Sequence, residues 1–137
     1  MAVISELIRT EENGTLSFGD YTLGAKAKNE GFEHKGASYR VKTYKDITKL
    51  ERDGVFVYES VPGTAVHNLK ASAENVEFSV EGYTDSQVTL ELEPEMEYGV
   101  VIGSQDSGVI KTNLGGKLVL SVELDAGKLL DIKIDKK

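Results

Sequence analysis

Hydrophobic and polar residues alternate along much of this chain with a period of two. In KLVLSVEL, Leu118, Leu120, Val122 and Leu124 fall on one side, and Lys117, Val119, Ser121 and Glu123 on the other. QVTLELE sets Val88, Leu90 and Leu92 against Thr89, Glu91 and Glu93. NVEFSVEG groups Val76, Phe78 and Val80, and LLDIKID groups Leu130, Ile132 and Ile134. Successive side chains of a β-strand point to opposite faces, so these runs predict strands with one covered face and one polar face. The breaks between them are turn sequences: Glu81-Gly82, Thr84-Asp85-Ser86, Gly103 to Gly108, Asn113 to Gly116, and Asp125-Ala126-Gly127. Such residues tolerate positive φ or bond their own backbone. About seven strands at roughly ten-residue spacing, beginning near Thr64, predict an antiparallel sandwich of immunoglobulin-like size.

The first sixty residues are also β in character. Glu12-Asn13-Gly14-Thr15 predicts a hairpin between VISELIRT and TLSFGDY, and Asp53-Gly54 another between ITKLER and VFVYES. Ser38 to Tyr44 alternates, with Tyr39, Val41 and Thr43 opposite Arg40 and Lys42. The one helix candidate is a single turn over Asp46–Arg52. Val61-Pro62-Gly63 breaks the pattern and serves as a domain boundary. The expected protein is all-β, with an N-terminal β-meander or barrel (1–62) packed on a C-terminal immunoglobulin-like β-sandwich (63–137).

Composition narrows the function. The 137 residues include no cysteine, which removes disulfides and thiolate metal sites. The start, MAVISELIRTEENG, lacks a basic segment followed by an apolar run. No secretion signal is therefore expected. No apolar stretch approaches the length of a membrane span, so no membrane association is expected. A cytoplasmic address is the default, with signal-free export or a place in a phage particle left open. The net charge of −7 is uneven: residues 1–62 hold 9 basic and 10 acidic side chains, residues 63–137 hold 7 and 13. Between Lys70 and Lys111 there are nine acids and no base. Binding a phosphate backbone takes cations that displace its counterions, so nucleic acid is not an expected partner. The acidic interval reads as a solvated sheet face rather than a Ca²⁺ site.

Ser104, Asp106 and Gly108 in GSQDSGVIKTNLGG follow the S-x-D-x-G order of the Asp-box hairpins of sialidase propellers. The closing positions are Ile110 and Lys111 instead of Thr-Trp, and the chain has no Trp. Such residues suit any hairpin loop, so the stretch reads as a turn. Arg9, Arg40 and Arg52 could grip a carboxylate if they converged, but their spacing reads as separate surface charges. His67 reads as half-buried with a backbone partner, and His34 as solvated; two lone histidines supply neither a zinc site nor a triad. Leu114-Gly115-Gly116-Lys117 is followed by a strand, not the helix a phosphate loop needs. Tyr98 reads as a packed sandwich corner and Tyr83 as the exposed aromatic.

The blocks ELIRTEENGTLSFGDYTLGAKAK, FVYESVPGTAVHNL, VTLELEPEMEYGV and KTNLGGKLVLSVEL resemble a family of short clostridial proteins of about this length. That family carries the automatic label endosialidase or endosialidase-like, without an established activity. The resemblance implies a β-module and, through its label, polysialic acid hydrolysis; it carries over no catalytic residue. The expected function is a non-catalytic binding or structural module, acting as a homo-oligomer or with a protein partner. The runs VYES and GVVIG are its expected self-pairing edges. A carbohydrate-binding module is the alternative, with Tyr83, Ser104, Asp106 and Asn113 as its rim. A sialidase-related hydrolase ranks last. No cofactor, metal or catalytic residue is assigned.

Overall fold

The protein is described from a computed structural model over residues 4–72 and 74–137. Among the described residues, thirteen strands form two antiparallel sheets. In chain order they are β1 (Ile8–Thr10), β2 (Leu16–Phe18), β3 (Ala27–His34), β4 (Ala37–Tyr44), β5 (Ile47–Arg52), β6 (Val55–Val61) and β7 (Ala65–Ala71). There follow β8 (Asn75–Glu81), β9 (Ser86–Glu91), β10 (Glu97–Ile102), β11 (Gln105–Lys111), β12 (Lys117–Val122) and β13 (Leu130–Lys136). One sheet has the order β1-β2-β7-β8-β13-β10-β11, the other β12-β9-β6-β5-β4-β3. Neither closes into a barrel.

The all-β expectation holds, and the alternation predicts the faces well. Val76, Phe78, Val80, Val88, Leu90, Leu118, Leu120, Val122, Ile132 and Ile134 are all buried in one core. Val41, Leu50, Tyr58, Phe18 and Leu16, from before the proposed boundary, lie in that same core. Phe18 and Phe78 each meet the Tyr58 ring edge-on, at 5.2 and 6.0 Å between centroids. These contacts join the two halves of the sequence through the centre of the molecule.

The division at Pro62 is not a division of the sheets. The N-terminal meander is present as β3 to β6, but β6 continues into β9, and β2 pairs with β7. The reason is one of coverage. Residues 63–137 alone would set five strands of one sheet (β7, β8, β13, β10, β11) against only β9 and β12. Those two cannot cover five, and the meander supplies the missing area.

Three local expectations also change. Asp46–Arg52 is no helix: Ile47–Arg52 is β5, whose Thr48 and Leu50 are buried. Tertiary pairing on both sides outweighs one marginal helical turn. The runs VYES and GVVIG are not edges either; β6 lies between β5 and β9, and β10 between β13 and β11. The edges are β1, β11, β12 and β3.

At one end the core is polar. Thr43, Thr48, Ser60 and Thr64 are all fully buried with Tyr58. The backbone N–H of Asp20 donates to Thr43 Oγ1, which shares a 2.7 Å bond with Thr48 Oγ1. Thr48 Oγ1 donates to the Thr64 carbonyl and accepts from the Thr64 N–H. Thr64 Oγ1 bonds both Tyr58 Oη (2.8 Å) and Ser60 Oγ (2.7 Å). Burial pushes the Tyr58 phenol up to about 12. A buried hydroxyl must find a partner, and this chain of bonds ties β4, β5 and β6 to the start of β7.

Candidate functional site

The rim expected from the sequence is split by the fold. Ser104 is in the turn before β11 and Asp106 is the second residue of that strand, where Asp106 Oδ1 accepts from the Gly108 N–H. Asn113 follows the other end of β11, and its Oδ1 accepts from the N–H groups of Gly115 and Lys117. Seven extended residues put the two turns about 20 Å apart. The Asp and Asn side chains build their own turns, which agrees with the turn reading of GSQDSGVIKTNLGG.

Tyr83 is exposed (60 %), and the edge of its ring meets Tyr21 at 4.8 Å between centroids. Tyr21 is buried, and its hydroxyl donates to Glu81 Oε1 at 2.5 Å. Burial, reinforced by the Glu81 carboxylate, raises the Tyr21 phenol to about 12. Glu81 Oε2 bonds His67 Nε2 at 2.8 Å. His67 is therefore half-buried as expected, but its partner is a carboxylate and not the backbone. The opposition of Ala65 to Glu81 across β7 and β8 puts this group on the outer face of the larger sheet. There Ile4, Tyr21 and Ala65 form a second small apolar cluster. Both oxygens of Glu81 are engaged, and the arrangement pins the segment after β2 to that face.

His34 departs from expectation. It is buried (8 % exposed), its Nδ1 bonds Thr10 Oγ1 at 2.9 Å, and its ring lies edge-on to Tyr39. Burial, with the Lys35 ammonium nearby, lowers its pKa. The polar letters EHKG conceal a ring tucked under the β1 edge. Tyr98 is buried as a packed corner, its Oη accepting from the Glu93 N–H.

The three arginines stay apart. Arg9 pairs with Glu11 (3.0 Å), whose carboxylate also accepts from Ser17 and is held below the usual range by that bond. Arg40 lies near Glu51 (3.6 Å) and Glu30 (3.9 Å). Arg52, opposite Tyr39 in the β4–β5 register, falls on the other face of that sheet from Arg40, which is opposite Glu51. No group of three or more His, Asp or Glu side chains among the described residues could hold a metal ion. No helix is long and apolar enough to cross a membrane among them.

Arg52 opens onto two clefts where the sheets part. One, of about 510 Å³, runs past Phe56, Val57, Leu92 and Tyr98. Its carboxylates Glu91 and Glu93 are paired with Lys117 and Lys136. Lys117 also lies over the Phe56 ring, 4.3 Å from its centroid. The second, of about 240 Å³, lies between the β1–β2 turn, the β3–β4 turn and the end of β7. Both are lined by Arg52 and Ala71. The sequence reading missed this end of the molecule, because its residues come from five separate stretches.

No family model, no curated protein and no solved structure matches the chain.

Proposed function

We propose that the protein is a non-catalytic β-module that works by binding, and that it pairs with a second copy of itself along β12. The observation that carries this reading is the contrast between β12 and the other sheet edges. β1 has three residues. β3 is bulged between Asn29 and Phe32 and carries Lys28, Glu30 and Glu33. β11 faces a register shift at Gly99 and carries Asp106 and Lys111. β12 keeps an unbroken six-residue register with β9, with no charge between Lys117 and Glu123 and Val119 exposed. Bulges and charges are how edge strands avoid other chains; β12 has no bulge, and its one charged residue, Lys117, stands at its first position and is paired with Glu91.

The backbone parity fits a two-fold. The Leu92 N–H donates to the Gly116 carbonyl, so even-numbered residues of β12 face β9 and odd-numbered ones face outward. A two-fold at Leu120 sets Val119 against Ser121 of the second copy, both outward. It also sets Lys117 against Glu123, twice, with opposite charges.

Analytical ultracentrifugation across a concentration series tests this. Val119→Pro removes one outward N–H and no bond to β9, so it is expected to convert a dimer to a folded monomer. Glu123→Lys, which brings two lysines together, is expected to weaken it. A concentration-independent wild-type monomer, or a Val119→Pro dimer as tight as wild type, rejects the reading.

One observation favours a second reading, glycan binding: Tyr83 is exposed yet braced by Tyr21, as a stacking platform would be. A glycan array with wild type and Tyr83→Ala decides it. Retention that Tyr83→Ala abolishes supports this reading, and no retention above background removes it.

A further inference from the structure

The outer face of the smaller sheet brings three lysines into one row. Lys28 on β3 is the direct register partner of Lys42 on β4, and Lys42 is the direct partner of Lys49 on β5. The residues flanking the last two, Val41, Thr43, Thr48 and Leu50, are buried in the core, so the whole row faces away from it. Directly opposed side chains on neighbouring strands stand about 5 Å apart at Cβ, and like charges so placed weaken the pairing. Here two such oppositions follow one another. Keeping an open edge away from other chains, a common task of strand lysines, accounts only for Lys28 on the edge strand β3. β4 and β5 lie inside the sheet, and Lys42 and Lys49 are half-buried there. On the next strand Glu59 opposes Lys49 and ends the row.

An apolar row runs beside the cationic one. Tyr44 opposes Ile47, and Val61 stands next to Ile47, one residue beyond the Thr48–Ser60 pair. Ser60 is buried and Val61 exposed, so these side chains share the outer face. Lys26, just before β3, sets its Nζ 5.8 Å from the centre of the Tyr44 ring. Both rows cross the strands, so neighbouring positions along each are one strand spacing apart, about 4.8 Å. A ligand that matches them is long, with charge along one side and apolar surface along the other. Acidic polysaccharides are built in this way. Their carboxylate or sulfate groups recur along the chain, each ring advances it by about one strand spacing, and the C–H faces of the rings suit Tyr44 and Ile47. In an extended acidic peptide the side chains of one side recur about every 6.6 Å and fall out of step. A nucleic acid needs more cations than this row offers, against a net charge of −7.

We infer that the outer face of β3, β4 and β5 binds an acidic polysaccharide laid across the strands. Its anionic groups sit on Lys28, Lys42 and Lys49, and its ring faces lie along Tyr44 and Ile47. This rests on the reading of the protein as a module that works by binding, but uses neither β12 nor Tyr83.

The test is a ¹⁵N–¹H titration of the full chain with a galacturonate hexamer and, separately, with a chondroitin sulfate hexamer, at constant ionic strength. A neutral galactose hexamer, a glutamate hexapeptide and a thymidylate hexamer serve as comparisons. Saturable shifts of amides in 26–28, 42–44 and 47–49 are expected with one or both acidic sugars; a response to only one supports the site and identifies its preferred anion. Lys42→Met keeps the length of the side chain and removes its charge, and affinity is expected to fall tenfold or more. It is expected to be kept in Lys42→Arg and in Lys133→Gln, whose lysine lies on the outer face of the other sheet. Relieved of two like-charge neighbours, ligand-free Lys42→Met should resist urea at least as well as wild type; a purely structural ammonium would make it weaker. Val119→Pro and Tyr83→Ala are expected to bind as wild type, which separates the result from the readings built on those residues. No saturable response to either acidic sugar overturns the inference, as does equally tight binding of any of the three comparison ligands. So does undiminished binding in Lys42→Met, a destabilised ligand-free Lys42→Met, or binding lost in Tyr83→Ala.

Discussion

Thr64→Val is the sharpest test of how this sandwich is held together. The substitution exchanges one hydroxyl for a methyl of nearly equal size, so no cavity opens. It leaves two buried hydroxyls, those of Tyr58 and Ser60, facing a methyl group where each had its hydrogen bond to Thr64. A buried polar group without a partner costs about 1–3 kcal/mol. The added methyl returns about 1 kcal/mol. For two orphans, less the methyl, the expected net loss is about 1–5 kcal/mol, against the roughly 5–15 kcal/mol typical of a domain. Tyr58→Phe leaves Thr64 bonded to Ser60 and should cost only about 1 kcal/mol. The decisive variant is Tyr58→Phe/Ser60→Ala/Thr64→Val. It removes every orphan at once and is expected to be more stable than Thr64→Val alone. Urea unfolding followed by far-UV circular dichroism and by tyrosine fluorescence gives all three values, the coincidence of the two signals checking two-state behaviour. A Thr64→Val protein within 0.5 kcal/mol of wild type, or a triple variant no more stable than Thr64→Val, refutes the reasoning.

Three further outcomes follow from particular residues. Gly116 has φ +81°, and a Cβ there would run into the Leu92 carbonyl oxygen, whereas Gly108 at φ +85° has open space around it. Gly108→Ala should cost about 1–2 kcal/mol in urea, and Gly116→Ala far more, to the point of little soluble protein; equal losses would count against the packing argument. His34 has its pKa lowered by burial, so the unfolded chain takes up the proton first as pH falls. Stability is full above the ordinary histidine range near 6.5 and declines as pH drops from there through the depressed folded value. His34→Gln should flatten that part of a stability–pH curve, and an unchanged slope there would show that the slope belongs to other groups. Glu81→Gln leaves His67 and Tyr21 a neutral partner, and ultraviolet titration should show the Tyr21 phenol ionising at lower pH than in wild type, where Glu81 helps to raise it to about 12; no change would mean burial acts alone.

The strands and their faces were legible because burial imposes a period the letters cannot hide. Leu118, Leu120 and Val122, or Ile132 and Ile134, have no other reason to recur at every second position. The partners of those strands were less legible. GVVIG looks like an edge because it is apolar and uncharged, and VYES groups with it despite Glu59, but an apolar run also suits a strand flanked by two neighbours. One of the four edge strands, β12, alternates strictly and looked like an ordinary half-covered strand. Pro62 misled for a related reason: it ends β6, yet ending a strand does not end a domain when the next strand joins the opposite sheet.

The end cleft was not legible in the letters at all. Its lining comes from the β1–β2 turn, the β3–β4 turn, the end of β5 and the end of β7, stretches distant in sequence that meet only where the two sheets part. A period of two tells which face of a strand is covered, but not which strand ends come together, so no pattern along the chain could have placed these residues side by side.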